Sequence, residues 1–187
     1  MTQLLSPSEI LTFWTDAGPD KWFAKDAAFD RAFTDRCCDT HYAAARRELD
    51  HWTQTPQGAL ALIILLDQLP RNAFRDTGHM FATDSLALMF AKAAIQRGDD
   101  RKVAPALRPF LLMPLMHSES LTDQELLLTL WTRPPSPTPT SSPSSTGTSS
   151  PASAASRIAT PAWGARPLQR RRTSLKPEDF QADARQA

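Results

Sequence analysis

Apolar residues recur at three- and four-residue intervals through most of the first 131 positions, and no strand-like alternation of useful length interrupts them. Ser6-Pro7-Ser8-Glu9 reads as a capping box, with Ile10, Phe13 and Trp14 on one face and a stop at Gly18-Pro19. A loop carries Trp22-Phe23. A second helix opens at Asp26, and along it Phe29, Phe33, Cys37 and either His41 or Tyr42 form a stripe. Thr55-Pro56 opens a third helix, and Pro70 is expected to end it. Thr83 or Asp84 is expected to cap a fourth, striped by Leu86, Met89, Phe90 and Ala93 and stopped at Gly98. Pro105 starts a fifth, with a kink or break at Pro114. A capping box at Thr122-Asp123-Gln124-Glu125 opens a leucine-rich sixth that reaches Trp131. The pattern predicts an all-α fold, a compact array of about six helices.

Two stretches depart from simple amphipathic grammar. Positions 59–66 have no polar face, so the third helix should lie at the centre of the packing. Asp67, Gln68, Arg71, Asn72 and Arg75 follow immediately, a dense polar set at the end of a buried helix. From 134 to 156 every residue is Pro, Ser, Thr, Ala or Gly. Such text buries too little apolar surface to offset its ordering entropy, so disorder is expected. The chain therefore divides into a helical domain at 1–133 and a low-complexity tail at 134–187.

Composition narrows the class further. A net charge of +1 over 187 residues gives no electrostatic argument for nucleic acid or an anionic membrane. No run approaches the ~20 apolar residues of a membrane span, and the start lacks a signal-peptide pattern. The two cysteines, Cys37 and Cys38, are adjacent and fit reduced thiols better than a disulfide. A cytoplasmic protein is expected.

Asp67 falls at the negative end of a helix dipole and so should need partners, with Arg71 and Arg75 within reach. The bland reading is a salt-bridge network fixing a helix junction; the sharper one is an anion pocket built from arginine forks and the Asn72 amide. A second cluster joins His117 to Glu119, Asp123, Gln124 and Glu125. A His117–Glu119 pair at a junction is the ordinary reading, and general acid–base use of His117 the chemical one. The spacings match no metal motif, and no cofactor is implied. Trp22-Phe23 and Phe81 read as inward-packing anchors, with Asp26 and Asp84 as caps.

These words together resemble a bacterial family known as domain of unknown function 924. Phe13-Trp14, Trp22-Phe23-Ala24-Lys25-Asp26 and Leu65-Leu66-Asp67-Gln68-Leu69-Pro70-Arg71-Asn72 carry the resemblance, with Phe81-Ala82-Thr83-Asp84 and Pro114-Leu115-Met116-His117-Ser118-Glu119. It spans about residues 11–131 and implies a tetratricopeptide-like helical fold with no established reaction.

The family continues with a segment like Arg-Asp-Ile-Ile-x-Arg-Phe-Gly-Arg-Phe-Pro-His-Arg-Asn, which this chain lacks. Reading one base out of frame recovers it. Codons for Gly147-Thr148-Ser149-Ser150 are compatible with Arg-Asp-Ile-Ile, those for Ala152-Ser153-Ala154-Ala155 with Arg-Phe-Gly-Arg, and those for Ser156 to Thr160 with Phe-Pro-His-Arg-Asn. We read the tail as the product of a frameshift near Trp131, against the alternative of a natural disordered tail. Codons that cannot be so shifted would refute the reading. Loss of packed helices should leave the leucine face near 126–131 exposed, favouring association and marginal stability.

The functional expectation is a site lined by Asp67, Gln68, Arg71, Asn72, Arg75, His117 and Glu119 that binds a small anion or a peptide carboxylate. Two others stand beside it: a hydrolase-like enzyme using His117 or an acid as general base, and a helical interaction module. Oligomeric state is left open.

Overall fold

The computed structural model describes residues 4–132. The tail at 134–187, with its expected disorder and frameshift, lies outside the described residues. The described residues are helical and turn, with no strand, as the apolar periodicity requires. The helices are α1 Pro7–Ala17, α2 Pro19–Trp22, α3 Ala27–Ala45, α4 Pro56–Ile63, α5 Leu69–Ala73, α6 Asp84–Gln96, α7 Arg108–His117 and α8 Leu121–Trp131. A π-helical segment, Ile64–Gln68, joins α4 to α5, and 3₁₀ turns lie at Asp50–Gln54, Gly78–Phe81 and Asp99–Arg101.

Helix starts follow local chemistry where a side chain can reach back. Ser6 and Glu9 close the capping box of α1, Asp26 accepts from Ala28 and Phe29 at α3, and the Thr55 hydroxyl accepts from Gly58 at 3.0 Å. The later caps differ from expectation. Thr83 makes no capping bond, and Asp84 is taken by Arg71. α8 begins at Leu121 without a side-chain cap, and Gln124 turns back onto the α7 carbonyls of Leu115 and Met116 and onto Ser118. Helix α7 begins at Arg108 rather than Pro105, with Pro109 in its first turn where a missing N–H is harmless, and runs through Pro114 to His117.

The α4–π–α5 rod is the centre of the core. Every residue from Gly58 to Pro70 is buried, and α4 packs against α1, α6 and α7 while α5 packs against α3. Trp14, Trp22, Phe29, Phe33 and Phe110 form an aromatic cluster beside it. The α3 stripe passes through His41, which is buried, and not through exposed Tyr42. Gly58 allows a close approach of two backbones: a Cβ there would clash with the Trp52 carbonyl oxygen. Phe81, expected to pack inward, is exposed, with the Arg71 guanidinium carbon 5.8 Å from its ring centroid.

Candidate functional site

Pro70 does not end the helix; it is carried inside it. The Leu69 N–H bonds the Ile64 carbonyl, five residues back, which is the π register. Leu65 is thereby left without the donor four residues on, and the residue five on is Pro70, which has no N–H. Leu66 likewise loses the donor four residues on. Buried carbonyls cannot go unpaired cheaply, and side chains arrive in succession to meet them. The His41 imidazole donates from Nδ1 to Leu65 (2.9 Å), the Thr83 hydroxyl donates to Leu66, Arg71 Nη1 donates to Asp67 (2.8 Å) and Asn72 Nδ2 donates to Gln68 (2.9 Å). His41 and Thr83 thus repair one helix carried through a proline.

The carboxylate of Asp67 faces no solvent at all. Its Oδ1 accepts from His117 Nδ1 at 2.8 Å and lies 3.3 Å from Arg71 Nη1, and its Oδ2 accepts from Gln68 Nε2 at 2.6 Å. That same Gln68 amide approaches the Met113 sulfur at 3.1 Å. Arg71 meets both oxygens of Asp84 at 2.8 Å, and Arg75 grips Asp30 through two nitrogens, at 2.7 and 3.0 Å, while also bonding Asn72. The bond to Asp30 holds the Arg75 guanidinium above its ordinary pKa, while burial pulls the His41 imidazole down. Three carboxylates (Asp30, Asp67, Asp84) therefore surround two guanidiniums.

The structure brings Asp67, Gln68, Arg71, Asn72, Arg75 and His117 into one connected network, with two corrections. Arg75 pairs with Asp30, not Asp67. Glu119 faces solvent, and His117 takes Asp67 as its partner instead, because the α7 terminus turns the ring toward the rod. Asp30, His41, Thr83 and Asp84 also belong to the network, although their spacing marks them only as stripe, cap or intervening positions. A proline inside an apolar helix is the available signal, since it announces carbonyls in need of donors. Asp123, expected near His117, is bound instead by Lys92 (2.6 Å) and the Ser118 hydroxyl (2.7 Å), which hold its carboxyl below the usual range, Lys92 foremost.

Among the described residues no group of three His, Cys, Asp or Glu could hold a metal ion, and no helix is long and apolar enough to cross a membrane. A cleft of about 430 Å³ lies between α1 and α3, with Phe13, Phe29 and Arg36 in its lining, and it shares no residue with the network.

An all-helical domain built on a buried rod, with a carboxylate–arginine junction and one partly exposed histidine, is the class these features define. The chain belongs to the bacterial family of unknown function DUF924, whose model matches residues 10–158. The match passes the 131 at which the motif resemblance ends. A solved structure of a protein of unknown function from Agrobacterium tumefaciens is 53% identical, with a TM-score of 0.65. The similarity covers 66% of this chain and 70% of that one. No curated protein matches the sequence.

Proposed function

We propose that Asp67 and His117 form a general acid–base pair, the hydrolase-like reading of the site. The observation that carries it is the 2.8 Å contact between a wholly buried carboxylate and the Nδ1 of a ring that remains a quarter exposed. A carboxylate accepts only, so Nδ1 carries the proton, and in its neutral form the ring keeps its lone pair on Nε2. That nitrogen can take a proton from a water or hydroxyl that attacks a substrate bond, while the Asp67 charge stabilises the imidazolium formed. Gln68 and Arg71 hold the carboxylate in place. Anion binding has less support, because both arginine forks already grip carboxylates and the cluster holds more acids than guanidiniums.

The test uses the full chain against a panel of chromogenic carboxyl esters, amides and phosphoesters, with long-range ¹⁵N spectra of the imidazole. The reading expects the proton on Nδ1, and turnover that falls about 10²–10⁴-fold in His117→Gln with the helical signal retained. A proton on Nε2, or turnover indifferent to His117→Gln, overturns it.

A further inference from the structure

Helix α7 ends at His117, and Ser118 leaves it in an extended conformation (φ −71°, ψ 138°). The last carbonyls of a helix have no partner within it, and the final turn frays unless something meets them. One side chain does so here. Gln124, near the start of α8, donates from Nε2 to the carbonyls of Met116 (3.0 Å) and Ser118 (2.7 Å), with that of Leu115 at 3.2 Å. The residues on either side of His117 are therefore held by the same amide. The platform from which Gln124 reaches is fixed as well. Its neighbour Asp123 is buried, accepts from the Ser118 hydroxyl at 2.7 Å and is bound by Lys92 of α6 at 2.6 Å.

We infer that Gln124 is a positioning residue for His117, setting its imidazole against Asp67. The consequence for turnover rests on the acid–base reading of the pair; the positioning itself does not. The partners of the Asp67 carboxylate are His117, Gln68 and Arg71, so Gln124 reaches the pair only through the α7 backbone. His117 and Asp67 are 50 positions apart in sequence and meet at 2.8 Å. A drift of about 0.5 Å in the α7 terminus takes that contact past the ~3.2 Å limit of a good hydrogen bond. Which ring nitrogen carries the proton is set by the bond the ring makes. Held against Asp67 it is Nδ1, whereas a neutral imidazole released into water protonates mainly at Nε2. The tautomer thus reports the position.

Long-range ¹⁵N spectra of the full chain, recorded with the ring neutral, test this. The wild type should carry the proton on Nδ1. Gln124→Met keeps the shape of the side chain and removes its donor, so it should move the proton toward Nε2 while the far-UV helical signal stays. Under the acid–base reading, turnover should fall about 10–10²-fold with it. Should Gln124→Met fail to fold, Gln124→Glu replaces it, being nearly the same shape and unable to donate when ionised. A proton that stays on Nδ1 in the folded variant overturns the inference and leaves the acid–base reading standing. A wild-type proton on Nε2 overturns both. A tautomer that shifts in a chain without turnover supports the positioning and counts against the acid–base reading alone.

Discussion

The claim that His41 stands in for a backbone donor can be measured by a double-mutant cycle with Pro70. His41→Leu removes the imidazole N–H and leaves the Leu65 carbonyl, wholly buried, with neither a helical donor nor a side-chain one. One unsatisfied buried acceptor costs about 1–3 kcal/mol. At a urea m-value of about 1–3 kcal/mol/M, the unfolding midpoint should fall by roughly 1 M. His41→Asn, whose amide can place a donor near the Nδ1 position, should recover most of the loss. Pro70→Ala supplies a new N–H, which reaches Leu65 if the π register is kept or Leu66 if the segment relaxes to a regular α-helix. In either case His41→Leu becomes nearly harmless in the P70A background, because in a regular α-helix the Leu69 N–H returns to Leu65; in the second Thr83→Val does as well. The assay is equilibrium urea unfolding at a pH where His41 is neutral, with far-UV circular dichroism for the fold. Additivity of Pro70→Ala with both substitutions, within about 0.5 kcal/mol, would refute the account.

Other consequences are direct. Burial lowers the His41 pKa from 6.5, so between its folded value and about 6.5 the unfolded chain binds a proton that the folded chain refuses. Stability should fall as pH drops below about 6.5 and return above it; unfolding free energies measured from neutral to mildly acid pH should show this slope, and His41→Asn should flatten it. The Asp123 carboxyl, held down first by Lys92 and then by Ser118, acts in a lower window, its contribution being present above 3.8 and lost as pH falls through its depressed folded value. Burial pushes the Cys37 thiol to about 12, so a disulfide reagent at neutral pH should label Cys37 only on unfolding; rapid native labelling mapped to that residue would contradict its placement. Gly58→Ala should destabilise by about 1–3 kcal/mol or more, since the new methyl meets the backbone oxygen of Trp52 rather than a side chain that could move; thermal melts of the variant measure it.

Much of the architecture is legible in the order of residues alone. The all-round apolar run at 59–66 marks the buried rod, and Ser6, Asp26 and Thr55 mark helix starts, because periodicity and capping are local properties of the chain. Pro70 is a false stop signal for a physical reason. Ending a helix is proline's default when its neighbours offer no replacement donors, and here His41, from α3, and Thr83, from the turn before α6, bring them from far along the chain. Thr83 and Asp84 look like local caps for the same cause: each has a nearby use that a distant partner outcompetes. An apolar face on α8 follows from its leucines, but which of them point outward depends on the packing of α7 against α8.

By itself the sequence determined the all-helical class, the central rod and the set of polar residues gathered at its far end, since each follows from spacing along a single helix. Only the tertiary structure decided the pairings. Asp67 could have taken Arg75, and His117 could have taken Glu119, but the return of α7 beside the rod sets the imidazole 2.8 Å from the Asp67 carboxylate, and α3 delivers Asp30 to Arg75. Charged side chains are promiscuous in sequence, and burial decides which partner each one can reach.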